Sequence, residues 1–401
     1  MVNDLIIVGG GASGLCAAVY FKQKYPNSTV RILEALPRVG KKLALTGNGR
    51  CNITNKNINL SRYHGKDTEF CRYALDKYDV GFTKEFFEKI GVEIIFEEDK
   101  AYPSSFQASS VVDCLRFACD ELGVITHTET PVTDIQISNG NYRVISNQMS
   151  FLSKNLIIAT GGLAGGERLG CDGKMFNILK KADFKVAPQK PTIVQIKTET
   201  DIVKQLKGIK INAVAKLGSR SDFGEVLFCD YGLSGPAILQ ISREASYLDK
   251  PQITLDIIPD INFNELCELL TNRVNSLKER TLDEFFTGML QKRVGQVLLK
   301  QIGCKLIEKV STLDIKKIKA LAAIMKKWEF AVTGTTGFSN AQATAGGLAT
   351  KEFNNETMEN KSTNNLYCIG EILDVDGDCG GFNLQWAWSS AFCAVDALRN
   401  V

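Results

Sequence analysis

The sequence predicts an α/β protein whose main domain is Rossmann-like, built around a parallel central sheet and interrupted by a β-rich, barrel-like insert and a helical subdomain. Three observations predict it. A short apolar strand at residues 5–8 runs straight into a glycine turn and a helix, in "DLIIVGGGASGLCAAVYF". A second apolar run, "NLIIATGG", ends in the same way on Thr160, Gly161 and Gly162. Between these features and the chain's last sixty residues the period changes: residues 192–256 alternate as strands do, 263–328 follow helical spacing, and strand-like residues return at Phe330.

Composition narrows the function classes. The chain has 401 residues, 44% hydrophobic and 23% charged, an ordinary globular balance that at ~150 residues per domain suggests two to three domains. Lys and Arg total 48 against 45 Asp and Glu, and a net charge of +3 is too even for a dedicated nucleic-acid binder. The most basic stretch, Lys316, Lys317, Lys319, Lys326 and Lys327, reads as the solvated face of a helix. The expected partner is therefore a small-molecule substrate, with neither nucleic acid nor membrane, and the oligomeric state is left open.

Twelve cysteines are scattered without a C-x-x-C pair, as in a reduced protein. No basic-then-apolar leader and no run of ~18 apolar residues is present, which points to the cytoplasm. Only His64 and His127 are available as imidazoles, so neither a histidine metal site nor a Ser-His-Asp triad is expected, and no metal is assigned.

In the first motif Gly9 permits the tight turn, Gly11 lets a pyrophosphate approach the backbone, and Gly14 lets helix and strand pack closely. Ala12 and Ser13 lie between them at the helix start, whose free N–H groups and dipole favour the phosphates. The strand at residues 29–33 then ends on Glu34 and Ala35, about twenty residues past the last glycine. A carboxylate there accepts from a ribose hydroxyl and disfavours a 2′-phosphate.

FAD is longer than NAD and draws on segments far apart in sequence, and this chain supplies them. "LPRVGKKLALTGNGRCNITN" brings positive charge and close-approach glycines; from it Lys42, Thr46, Gly47, Asn48, Gly49, Arg50, Cys51 and Asn52 are candidate contacts. "THTETPVTDIQI" and "NYRVIS" read as a hairpin or meander, with Val132 bordering the adenine. Thr160 and Gly161 sit at a strand end, where open α/β sheets bind ligands.

Near the end, "NLYCIG" is a further strand leading to Gly370 and Glu371, the latter a candidate for the ribityl hydroxyls, with Asp376 following. Gly380 and Gly381 allow the backbone past the ring. The helix after them repeats Leu384, Trp388, Ala391, Phe392, Val395 and Leu398 as one buried face. Amides at Asn383, Leu384 and Gln385 are candidates for the flavin N1–C2=O edge.

Together "GGGASG", "KKLALTGNGRCNITN", "LFCDYGLSGPAIL", "ATAGGLATKEF", "TMENK" and "GEILDVDGDCGGFNLQWAWSSA" resemble a family of bacterial FAD-containing oxidoreductases that includes the BaiN-type bile-acid reductases and the aminoacetone oxidases. The resemblance spans nearly the whole chain. It implies a two-dinucleotide-binding-type FAD domain made from both chain ends: residues 1–190, a β-rich insert at 191–258, a helical insert at 259–328, a return strand at 329–345, and the FAD domain again at 346–401. Cys229 and Asp230 stand where many members have Thr-His, and Gln107 where a charged residue is common.

The resemblance implies an FAD-dependent oxidoreductase that reduces a conjugated C=C bond of the bile-acid or steroid-enone type. NAD(P)H is the candidate transient donor, although no second G-x-G-x-x-G unit follows a strand. The alternatives are an amine (aminoacetone) oxidase producing hydrogen peroxide and a non-catalytic FAD-binding protein. No catalytic residue is assigned; Tyr102, Tyr231 and Asp230 are the polar candidates, and Cys51 lacks a partner for thiol chemistry.

Overall fold

Residues 5–8 are apolar at every position, the pattern of a strand covered on both faces. In the computed structural model, which describes residues 2–138, 141–147 and 149–399, that strand is Val2–Val8, with Leu5, Ile6 and Ile7 fully buried. It pairs in parallel with Val30–Leu33 on one side and Met149–Ile158 on the other. Ile125–His127 extends the sheet past Val30–Leu33, and Leu366–Cys368 adds in parallel to the C-terminal half of Met149–Ile158. The N-terminal half of that long strand pairs antiparallel with Asn141–Ser146, which in turn pairs with Val132–Ser138, a meander continuing the same sheet.

Two helices from opposite ends of the chain, Ala12–Lys24 and Phe382–Ala397, pack against each other. The spacing in the second predicts one buried face, and the structure corrects this: every residue from Gln385 to Val395 is buried. It is enclosed because Arg72–Lys77 and Val80–Lys89 pack on it as well as the first helix. The Phe392 ring lies 4.9–5.0 Å from those of Tyr20, Phe82 and Phe86. A helix apolar all round belongs in a core. Its polar side chains are paired there, Trp388 Nε1 donating to Ile53 O at 2.9 Å and Gln385 Nε2 to Tyr78 O at 2.9 Å.

The chain divides into two compact units: residues up to Pro191 together with Phe338 onward, and Thr192–Gly337. In the second unit Ile196–Thr198, Gly232–Ser234, Arg220–Cys229, Lys210–Leu217, Gln252–Asp256 and Trp328–Thr335 close an antiparallel barrel in that order. "GLSGPA" is a strand-to-helix turn, with Gly235 at φ +99° and Pro236 opening the helix Pro236–Ile241. Phe263–Leu277, started by an Asn262–Glu265 capping box, is followed by Lys292–Gln301 and Ile315–Lys326. Leu266, Leu298 and Leu321 from these helices join Phe228, Leu255 and Trp328 of the barrel in one hydrophobic core.

Removing the Trp388 ring, fully buried and edge-on to Phe87 at 5.0 Å, leaves a large cavity and an orphaned carbonyl at Ile53. Trp388→Ala is expected to destabilise the first unit by about 3–5 kcal/mol, measured as a lowered urea midpoint for its unfolding transition.

Candidate cofactor site

The sheet register aligns the parallel strand ends. Val8 lies opposite both Leu33 and Ile158, Leu33 opposite His127, and Ile158 opposite Cys368. Just beyond, Gly9 N–H donates to Leu33 O, Glu34 N–H to His127 O and Ala159 N–H to Val8 O, each at 2.8 Å, and Ile369 N–H to Ile158 O at 3.1 Å. Gly9, Glu34, Ala35, Thr160, Gly161, Gly370 and Glu371 are thereby gathered on one carboxyl edge, the place where an open α/β sheet forms its ligand crevice.

The glycines there do different work. Gly9 has φ +107°, and a Cβ on it would lie 2.6 Å from Ala159 O; a Cβ on Gly14 would lie 2.0 Å from Gly9 O. Both serve close packing. Gly11 has φ −84°, and a Cβ there would meet nothing within 4 Å, so its small size leaves room in front of the helix N-terminus rather than inside the fold. Ala12 and Ser13 open that helix, and a Cβ on Gly370 would touch Ser13 Oγ at 2.9 Å.

Glu34 accepts from Gly10 N–H through one carboxylate oxygen and from Leu36 N–H through the other, both at 2.8 Å. Burial pushes its pKa up, against the backbone N–H groups of Leu36, Gly10 and Ala35 and the charge of Lys41. Each oxygen keeps a lone pair for a further hydroxyl. Thr130 N–H donates to Glu34 O, which sets the start of the Val132 strand beside this carboxylate.

A link without a sequence signal closes the middle of the edge. Lys42 Nζ pairs with Glu371 Oε2 at 2.5 Å, and Thr344 N–H donates to Glu371 Oε1 at 2.6 Å. Thr344 Oγ1 also accepts from Leu163 and Ala164 N–H, both at 2.9 Å, so Glu371 is tied to the loop that follows Gly161. Burial disfavours the Lys42 ammonium, but Glu371 more than offsets it and the net shift is upward. Sequence reasoning missed Thr344, which lies in no strand-end motif.

The segment Leu43–Gly49 is a broken helix with Gly47 at φ +57° and Asn48 at +55°, followed by Cys51 at +57°. Thr46 Oγ1 donates to Leu43 O, and Cys51 N–H to Thr46 O. A Cβ on Gly49, as on Gly11, would meet nothing within 4 Å. Arg50 reaches outward, pairing with Glu97 at 2.6 Å and lying over the adjacent Tyr102 and Phe106 rings at 4.5 and 4.3 Å. Asn52 Oδ1 and Thr160 Oγ1 are buried without a hydrogen-bond partner. Two orphaned polar atoms and two empty glycine cradles fit a long polar ligand that supplies the missing partners.

At the far end a Cβ on Gly381 would lie 2.6 Å from Thr54 O and 2.9 Å from Asn52 Oδ1, and Asn55 Nδ2 donates to Gly380 O. Asn383 folds its side chain back on Gly377 N–H and O, both at 2.8 Å. Leu384 is half-buried, and Asp376 is fully buried in a pairing with His64.

Gln385 needs correction: its N–H is spent on Gly381 O, and its side chain is fully buried among Thr54, Tyr78, Thr83 and Ser389. The helix start therefore offers the amides before Gln385, not its own. Nearby, His64 Nε2 lies 2.8 Å from Asp378 Oδ1, a contact across 314 residues that no local pattern announces. Of the polar candidates, Tyr102 is buried under Arg50, and Asp230 is exposed and ion-paired with Lys207, which holds its carboxyl below the usual range. Burial raises Tyr231.

A parallel sheet with a glycine turn after its first strand, a carboxylate after its second and polar loops after the remaining ends defines an FAD-dependent oxidoreductase of Rossmann type. The chain belongs to the HI0933-like protein Rossmann domain family, whose profile matches residues 3–397. It is 33% identical over 402 residues to the 3-dehydro-bile acid Δ(4,6)-reductase of Clostridium scindens, covering 98% of each. It is 30% identical over 409 residues to a ribosomal RNA dihydrouridine synthase of Haemophilus influenzae, covering 99% of each. Among solved structures, the E. coli quinol fumarate reductase aligns with TM-score 0.53 at 15% identity, over 99% of this chain and 69% of that one. A flavocytochrome c3 fumarate reductase gives 0.51 at 12%, over 99% and 78%. These two show the fold.

The contrast between the glycines yields a test. Gly11→Ala is expected to leave the apoprotein within about 1 kcal/mol of native stability while cutting FAD affinity at least tenfold, read by flavin fluorescence titration. Gly14→Ala is expected to lower the melting temperature of the apoprotein itself.

Proposed function

We propose that this protein reduces a carbon–carbon double bond conjugated with a carbonyl, with NAD(P)H as electron donor and a steroid-type enone as acceptor. FAD, when bound, supplies two-electron transfer between donor and acceptor. The chain's part is to hold it: amides at Gly11, Ala12 and Ser13 on the pyrophosphate, Glu34 and Ala35 on the ribose, Val132 beside the adenine, and Asn52 and Thr160 through their unpartnered oxygens. Lys42 and Glu371 act as a charged pair at the middle, with Thr46–Cys51 and Gly370 shaping the wall. Asn383 and Leu384 present the helix start to the ring.

The observation that carries this reading is the end-to-end relation to the bile-acid reductase. In a 3-oxo-Δ4,6 steroid the double bonds are conjugated with a carbonyl, which makes the far carbon electrophilic. Uracil C5=C6 has the same electronic arrangement, so the dihydrouridine synthase poses the same chemical problem on a different substrate. A uracil base in RNA is therefore the second reading. The even net charge does not exclude it, because charge in this chain is unevenly placed. Nothing in the site favours amine oxidation or a passive FAD-binding role. Thiol chemistry is disfavoured, since Cys51 is fully buried and burial pushes its thiol up to about 12.

Anaerobic titration tests the reading. NADH or NADPH is expected to bleach the flavin, and a 3-oxo-Δ4 steroid to restore its absorbance faster than oxygen does; no bleaching by either nucleotide, or peroxide made stoichiometrically from an amine, overturns it. In the native protein Cys51 is expected to resist iodoacetamide at pH 8, followed by peptide mass spectrometry.

A further inference from the structure

Charge is concentrated in one stretch. Residues 292–327 carry ten Lys and Arg against Glu308 and Asp314, although the whole chain has 48 basic and 45 acidic side chains, so the remainder is net acidic. Four of the ten are consumed by the fold. Lys292 pairs with Asp283 at 2.8 Å, and Lys309 with Glu279, Lys326 with Asp256 and Lys327 with Glu329, each at 2.7 Å. Arg293, Lys300, Lys305, Lys316, Lys317 and Lys319 make no ion pair among the described residues, and all but Lys317 are exposed.

Five of the six lie at exposed positions on two touching helices and the link between them, while Lys317 Nζ donates to Thr312 O at 3.4 Å. Arg293 and Lys300 are seven residues apart on Lys292–Gln301, nearly in line along one face, and Lys316 and Lys319 are neighbours on Ile315–Lys326. The two helices are in contact, and Lys305 lies on the link that joins them. Turned away from these rows, Val294, Leu298, Ile318, Leu321 and Met325 are spent in the barrel unit's core.

We propose that this α-helical face docks RNA through its phosphate backbone. Exposed cations that make no ion pair, at one-turn and two-turn spacing, complement a row of single negative charges and need no base sequence. An anionic membrane is the poorer fit, because the apolar sides of both helices are buried and only Ile307 and Ile315 remain exposed to enter lipid. The choice of RNA over other polyanions rests on the second functional reading above.

The test uses the FAD-loaded protein and a fluorescein-labelled, uridine-rich 20-nucleotide RNA, followed by anisotropy. At ~0.7 per phosphate contact, five contacts give a salt slope of about −3.5 and a loss of affinity of roughly 100-fold between 50 and 200 mM salt. A variant combining Arg293→Gln, Lys300→Gln, Lys305→Gln, Lys316→Gln and Lys319→Gln is expected to bind at least thirty times more weakly at 100 mM salt, with a flattened slope. Its FAD content, melting temperature and enone reduction should match the unmodified protein. Replacing the four lysines by Arg should retain binding.

No binding at 50 mM salt, equal binding by the Gln variant, or tighter binding to phosphatidylglycerol vesicles than to RNA overturns the docking surface and leaves the reductase reading standing. Charge-dependent RNA binding without enone reduction upholds the surface and removes the steroid reading.

Discussion

The cofactor domain depends on a contact that admits no side chain. Gly370, at φ +70°, sits where the first and last helices meet, and a Cβ on it would reach Ser13 Oγ at 2.9 Å and Ala387 Cα at 3.9 Å. Its own polar groups are satisfied by the last helix, with N–H donating to Ser390 Oγ at 2.9 Å and O accepting from Trp386 Nε1 at 3.1 Å. A left-handed residue with a side chain would cost ~1–2 kcal/mol in backbone strain alone. Because only Ile369 separates this glycine from the strand Leu366–Cys368, the approach of the helices also fixes where the fifth parallel strand ends and where Glu371 begins.

From that point the edge is organised by charge. Glu34 and Glu371 are two carboxylates on one rim, kept apart in role by their partners. Glu34 faces backbone N–H groups of the glycine turn, and burial there raises its proton affinity. Glu371 faces a lysine and one amide, and so remains half of an ion pair. The one suits hydroxyl recognition, and the other fixes the loops on either side of the crevice. The open spaces at Gly11 and Gly49, with the unpartnered oxygens of Asn52 and Thr160, lie along the segments these carboxylates hold in place.

Legibility followed sequence distance. The turn at Gly9, Gly11 and Gly14 and the carboxylate at Glu34 were readable because strand, turn, helix and next strand are consecutive. The Lys42–Glu371 pair spans 329 residues and the His64–Asp378 contact 314, and neither residue type nor spacing hints at them. The last helix misled for a different reason. Its Gln385, Ser389 and Ser390 look like a solvent face, but each is buried and hydrogen-bonded, so a polar residue broke the apolar period without marking the surface. Net charge averages over the chain, and a basic stretch at residues 292–327 is offset by mild acidity elsewhere.

The parallel strand order carries a consequence for synthesis. Leu366–Cys368 completes a sheet whose first strand left the ribosome about 360 residues earlier, an interval of roughly 20–70 s at ordinary elongation rates. From the time Met149–Ile158 is made until Leu366–Cys368 follows, roughly 10–40 s later, half of one of its edges stays open, an adhesive template that a charged or proline-bearing residue could blunt and that this strand's apolar end, Leu156 to Ile158, does not. The barrel unit, with a core of its own, is translated inside the same window. Nascent chains are thus most vulnerable to wrong pairing after residue 158 emerges and before residue 368 does.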